Sequence, residues 1–236
     1  MPPMEAQVAV AKTRKYASSE SGDSLEMIER PTGGLSLVLA DGQTSGKAAK
    51  AIAGIVVRKA ISLLADGVRA GAAARAASDY LYTLRSGKVL ATLNILSIDL
   101  HSQSLVVTRN NPAPVYLIEP GDLHVLDGPV DPVGGRRAVR PQIHELPLRA
   151  GLTAVVFTDG LMHAGERTGR PIDLPRRIRE LEAEGALDPA RWADQLLAEA
   201  LALDEGRPAD DMTVLVAAIL DRQGEDIRRL TVRMPF

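Results

Sequence analysis

The stretch from Gly33 to Gly67, GGLSLVLADGQTSGKAAKAIAGIVVRKAISLLADG, constrains the chain more than any other. Leu35, Leu37, Val38 and Leu39 form a short apolar run, with Gly33–Gly34 before it and Asp41–Gly42 after it. Such a run between turn signals predicts a buried strand. Ile52, Ile55, Val56, Ala60, Leu63 and Leu64 then recur at helical spacing, and Lys59 is the one charge on that apolar stripe. Strand, tight turn and helix therefore meet at Asp41, a carboxylate at the C-terminal end of a buried strand. A lone negative charge there is costly. A metal ion is the simplest positive partner.

The neighbouring segments bring a second carboxylate to the same place. The stretch from Ala6, AQVAVAKTRKY, alternates and predicts a first strand. Ser21 to Ser24 reads as a turn, and Leu25, Met27 and Ile28 open a second strand. Pro31 to Gly34 then closes a hairpin into the Leu35 strand. Asp23 starts one arm of that hairpin and Asp41 ends the other, so antiparallel pairing sets them side by side. Two carboxylates there repel unless a cation lies between them.

Further along, Ala70 to Arg85 predicts a second helix whose alanines suit close packing on the first. The segments VLATLNILSIDL, QSLVVTRNNPAPVYLIEPG and DLHVLDG predict a meander of strands. A Gly- and Arg-rich loop follows from Asp131. Thr153 to Phe157 predicts another buried strand, ending on Thr158-Asp159-Gly160. Helices are expected near Ile172–Ala183 and Pro189–Leu203, the latter with Asp188 as N-cap and Pro at the first helical position. Asp210–Asp211 leads into a strand from Met212 to Leu220, and DIRRLTVRMPF predicts a last strand. Strands, paired helices, strands and paired helices indicate an α+β fold: antiparallel sheets covered by helices on both outer faces. With no repeat, low-complexity tract or linker, residues 1–236 are expected to form one domain.

Composition narrows the chemistry. The chain has no cysteine, which removes disulfides, cysteine nucleophiles and thiolate metal sites together. Its net charge of −2 gives no general attraction to nucleic acid or an anionic membrane. The N-terminal residues lack the apolar core of a signal peptide, and no run approaches the ~20 apolar residues of a membrane span. A cytoplasmic protein is expected. With two Phe and one Trp, the core must be largely aliphatic.

Asp23, Asp41, Asp159 and Asp210–Asp211 share one setting, the ends of strands. Hard carboxylate ligands of this kind select Mg²⁺ or Mn²⁺. Gly42 lets the backbone turn and present its carbonyl as another ligand. Several aspartates exceed the charge of one divalent ion, so a pair is more natural. Two ions about 3.5–4 Å apart clamp an in-line phosphoryl displacement. Taken singly, each Asp-Gly pair is also ordinary turn chemistry.

These segments together, SGDSLEMIE, LSLVLADGQTSGKAAKA, VVFTDGLMHA and ADDMTVLVA, resemble the metal-dependent protein phosphatase family (the PPM or protein phosphatase 2C group), in particular its bacterial, SpoIIE-like branch. The resemblance covers essentially the whole chain in the family's motif order. It implies a four-layer α-β-β-α sandwich and hydrolysis of phosphoserine and phosphothreonine in proteins, with two Mn²⁺ or Mg²⁺ and a bridging hydroxide. It implies that Asp41 bridges both ions, that Asp23 and the Gly42 carbonyl complete one site, and that Asp159 and Asp210 complete the other. Asp211 stands where many relatives have Asn, either as a ligand through water or orienting Asp210. The implied substrate is a phosphorylated STAS-type anti-sigma-factor antagonist or a similar partner-switching protein. Regulation would come from a separate partner, from oligomerisation or from expression level, and the chain is expected to be a monomer or homodimer. The helices from Ala48 and Ala70 correspond to those thought to switch activity in this branch.

Some positions depart from the family pattern. Gln43-Thr44 follows Asp41-Gly42 where many eukaryotic members have His-Gly. Asn110 and Asn111 replace a common Ala-Gly-His stretch. Arg14 and Lys15 are the candidates for binding substrate phosphate, or are solvated strand-end charges. DGQTSGKAA is not a nucleotide P-loop, because Asp41 and Ala48 occupy positions that motif reserves for Gly and Ser/Thr. His101, His124, His144 and His163 do not pair at metal-ligand spacing. Arg136, Arg137 and Arg140 form a basic patch, either a solvated loop or a dock for an acidic partner. A phosphatase-fold module that binds a regulator without turnover is the competing function, and a small-molecule phosphatase a third.

Overall fold

The computed structural model describes residues 3–234, and within them ten strands and five helices. The first sheet contains β1 (Met4–Thr13), β10 (Met212–Asp221), β9 (Thr153–Phe157), β6 (Val115–Glu119) and β7 (Asp122–Leu126), in that order across the sheet. The second contains β2 (Ser24–Glu29), β3 (Gly34–Gly42), β4 (Ala91–Asp99), β5 (Ser104–Asn110) and β8 (Gln142–Pro147). All named strand pairs are antiparallel. Helices α1 (Gly46–Ala65) and α2 (Ala70–Arg85) cover the second sheet; the short α3 (Asp159–Met162), α4 (Leu174–Ala183) and α5 (Pro189–Leu203) lie on the first.

The apolar run of β3 is continuous because both of its faces are buried. Leu37 and Leu39 point between the sheets with Leu96, Val107, Leu117 and Val156. Val38 and Ala40 point outward against Val56, Ala60 and Ala77 of the helices. Successive side chains alternate faces, so Asp41 belongs to the row of Leu37 and Leu39. It opens into the end of the sandwich, between the sheets.

The predicted meander divides. β4 and β5 remain with β3, whereas β6 and β7 cross to the other sheet. The crossing occurs at Asn111–Pro114, where two prolines interrupt strand pairing. The fully buried Arg109 fixes the turn: its Nη1 donates to the carbonyl of Asn111 at 2.8 Å, and its Nη2 donates to Gln142 Oε1 at 2.7 Å and to the Gly128 carbonyl. Asn111, one of the two residues in place of the family's Ala-Gly-His, donates to the Phe157 carbonyl at 3.2 Å. It therefore ties the turn to the strand that leads to Asp159.

The predicted last strand is not formed. Residues 225–234 have no regular structure, and Pro235 and Phe236 of that stretch lie outside the described residues. Its alternation is a strand pattern, but alternation alone supplies no hydrogen-bonding partner. The Arg-rich loop is largely satisfied within the chain. Arg136 pairs with Asp131, and Arg137 lies 5.2 Å from the Tyr82 ring centre. No helix of the described residues is long and apolar enough to cross a membrane.

Candidate metal centre

Five aspartates gather at one end of the sandwich. Asp41 comes from the end of β3 and Asp23 from the turn before β2. Asp159 is the first residue of α3, and Asp210–Asp211 precede β10. Burial first, and then the charges of Asp23, Asp159, Asp210 and Asp211, push the Asp41 carboxyl up to about 8. Asp159 is also raised, by burial and then by Asp210. Asp23 is wholly buried, and burial is the largest cause of its raised pKa, opposed by the hydroxyl of Thr213.

Asp23 is held on one side and bare on the other. Its Oδ2 accepts hydrogen bonds from Thr158 Oγ1 at 3.0 Å and Thr213 Oγ1 at 2.5 Å. Its Oδ1 is buried with no partner. A buried carboxylate oxygen without a donor is costly, and this one lies among other carboxylates that cannot donate when ionised. Hard, anionic oxygens with unmet demand for positive charge fit Mn²⁺ or Mg²⁺. Among the described residues, no three His, Asp or Glu side chains stand close enough together to hold a metal ion between them. Like charges do not close on one another without a cation between them.

Asp211 does a different job from its neighbours. Its Oδ1 accepts the Lys15 backbone N–H at 2.8 Å and its Oδ2 the Gly22 N–H at 2.7 Å. Its own N–H donates to Asp210 Oδ1 at 2.9 Å. It therefore fixes the loop carrying Asp23 and orients Asp210. Arg14 donates to the Ser19 carbonyl at 3.3 Å, so it too braces this loop.

Helix α1 reaches the site by its backbone. A Cβ on Gly42 would lie 2.1 Å from the Ala49 carbonyl oxygen, so only glycine permits this approach. Gly160 is held similarly, with the Asp211 carbonyl 2.1 Å from where its Cβ would be. Between Gly42 and α1, Thr44 has φ +87°, a strained conformation for a β-branched residue.

Two lysines that the sequence reading missed meet at Asp23. Lys12 Nζ and Lys50 Nζ donate to its backbone carbonyl at 2.7 and 2.6 Å. Desolvation, and then the charge of Lys50, lower Lys12 to about 8. Lys12 interrupts the small apolar residues of β1, and Lys50 sits one turn into α1. Neither spacing indicates that they converge. His163 instead faces Glu166 across 2.8 Å on a half-exposed surface.

Comparison with known proteins identifies the family and the fold. A family model described as Stage II sporulation protein E (SpoIIE) matches residues 31–220. A Stage II sporulation protein E from Priestia megaterium is 23% identical over 211 residues, which is 89% of this chain and 36% of that protein. The chain thus spans about a third of the length of that curated relative. The fold is similar to the phosphatase domain of SpoIIE from Bacillus subtilis, solved with a fragment of its regulatory domain (TM-score 0.78, 19% identity, covering 95% of this chain and 66% of that one). It is also similar to the catalytic domain of the serine/threonine phosphatase PstP in complex with two manganese ions (TM-score 0.71, 19% identity, 93% and 100% covered).

Proposed function

Because this chain belongs to the Stage II sporulation protein E family, a branch of the PPM phosphatases, we propose that it is a metal-dependent phosphatase acting on phosphoserine or phosphothreonine in a protein. The observation that carries this reading is the pairing of Asp23, with its buried and unpartnered Oδ1, with Asp41, whose carboxyl is pushed up to about 8 by burial and then by four other aspartates. Asp211 is accounted for by the loop amides it accepts, whereas the bare Asp23 Oδ1 is not.

In this reading Asp41, Asp23 and the Gly42 carbonyl would hold one Mn²⁺ or Mg²⁺ ion, and Asp41, Asp159 and Asp210 would hold a second. When bound, the pair supplies Lewis-acid activation of water and neutralises charge on the phosphoryl group. The chain's own residues fix the donors. Thr158 and Thr213 set the rotamer of Asp23, and Asp211 sets Asp210 while tying down the loop from Lys15 to Gly22. Such supporting contacts are worth about 10–100-fold in metal affinity or activity. Residues 1–236 are read as one phosphatase domain in the cytoplasm. The substrate is read as a phosphorylated STAS-type antagonist, with a separate protein or self-association as regulator. The sequence motifs and family membership support this substrate class, and fold alone does not supply it.

The test is Mn²⁺-dependent hydrolysis of p-nitrophenyl phosphate and of a phosphoserine peptide, comparing the native chain with Asp41→Asn. The expected outcome is metal-dependent turnover that falls about a thousandfold in the variant, or ~4 kcal/mol in the barrier. Mn²⁺ binding by calorimetry without turnover of either substrate would instead favour a non-catalytic regulatory module. Absence of both binding and turnover would leave the aspartates as turn residues.

A further inference from the structure

The stretch after β10 carries a strand pattern with nothing to pair with. Leu230, Val232 and Met234 alternate with Arg229, Thr231 and Arg233. The three apolar residues are 75%, 78% and 75% exposed. An amphipathic strand of this kind buries its apolar row only by joining a sheet.

A sheet edge lies beside it. β2 ends its sheet, and among the described residues no strand pairs with its outer side. Arg228 Nη1 contacts Glu29 Oε2 at 3.1 Å, at the far end of β2 from the aspartates. An exposed ion pair contributes little stability, but it marks a register. With Arg228 opposite Glu29 in an antiparallel pair, Leu230 falls opposite Met27 and Val232 opposite Leu25. Those two β2 residues face the interior of the sandwich, paired with Leu37 and Leu39, and Met27 is still 38% exposed. The same register places Thr231 opposite Glu26 and Arg233 opposite Ser24, on the α1 side. That register brings Leu230 and Val232 opposite apolar residues and Thr231 and Arg233 opposite polar ones, while Arg229 falls opposite Ile28 and Met234 opposite Asp23. A slip of one residue would reverse every face.

We propose that the outer edge of β2 is a strand-docking site and that its occupant is residues 228–234 of the same chain, added antiparallel. The docked strand extends the interior layer past Met27 and brings residue 234 level with Asp23. It also borders a cavity of about 420 Å³ lined by Glu20, Glu26, Lys47, Lys50 and Arg58, between β2 and α1. A protein that offers its own extended segment to β2 must displace this strand, so the edge is a point of competition beside the site. The inference does not depend on the phosphatase reading.

Hydrogen exchange tests it, on the native chain, on Val232→Asp and on a chain shortened at Gly224. Amides of 25–29 and 229–233 are expected to exchange about tenfold more slowly in the native chain than in Val232→Asp. The shortened chain is expected to lose the β2 protection and regain it when a peptide of residues 226–236 is added. Equal β2 exchange in all three proteins overturns the proposal. So does protection that grows with protein concentration, which would make a second copy the occupant. Val232 is exposed, so unchanged circular dichroism separates loss of docking from loss of the fold.

Discussion

The two helical layers are built from different materials. The buried residues of α1 and α2 are rich in alanine, with Ala49, Ala53, Ala60, Ala70, Ala73, Ala74 and Ala77 beside Ile52, Val56, Val57, Leu64 and Leu81. Small side chains let backbones approach, and α1 uses that freedom at Gly42 and, through Lys50, at the Asp23 carbonyl. The α4–α5 layer is filled by Trp192, Ile178, Leu181 and Leu196 and pinned by Arg177, which pairs with Glu180, Glu184 and Glu199 at 3.1–3.2 Å. Its bulk supports the first sheet; its side chains make none of the contacts described at the carboxylates. One layer is packed so that its position matters to the site, the other so that it stays in place.

The comparison can be broken by substituting in each layer. Trp192→Ala removes the largest fully buried side chain. It is expected to cost about 3–5 kcal/mol in urea unfolding, while turnover per folded molecule and Mn²⁺ affinity stay unchanged. A parallel fall in turnover would mean that the α4–α5 layer also governs the site. Gly42→Ala does the reverse. Its methyl must push the α1 backbone away, at an expected cost of about 1–3 kcal/mol, and calorimetry should show Mn²⁺ affinity falling along with stability. Retained affinity would show that the approach of α1 is incidental.

A pH effect sharpens the contrast, because it belongs to the carboxylate end. Folding raises the Asp41 carboxyl from its ordinary 3.8 to about 8. Between those values the folded chain holds a proton that the unfolded chain has released. Metal-free protein should therefore lose stability as the pH rises from about 4 to about 8. Thermal melts across that range check the sign, and Mn²⁺ should flatten the slope. A melting temperature that rises with pH would contradict the crowding of charge around Asp41.

The β3–turn–α1 unit and the carboxylates at strand ends were legible in the sequence because burial on both faces and helical periodicity leave local patterns. The four-layer architecture was legible for the same reason, through the order of its elements. Lys12 and Lys50 were not, since their meeting at one carbonyl depends on how β1 and α1 stack in space. Nor was the role of Asp211, which is set by amides of Lys15 and Gly22, close to two hundred positions away in the chain. The alternation after Gly224 was read as a strand, and the fold leaves it unpaired because a strand needs an edge as well as a pattern. The helical turn at Asp159 went unread because four residues are too few to show a period.

The pairing of β1 with β10 has a further consequence for how the molecule comes into being. Met4 to Thr13 lies against Asp221 to Met212 over ten consecutive positions, and Thr213 of that strand holds Asp23 in place. Closing so long a loop is slow. During synthesis, the ribosome releases Asp23 and Asp41 long before Asp210 and Thr213. Until β10 emerges, β1 has no neighbour in its sheet and the acidic cluster is incomplete. The carboxylate end of the sandwich is therefore the last part of the molecule to be completed as the chain is made.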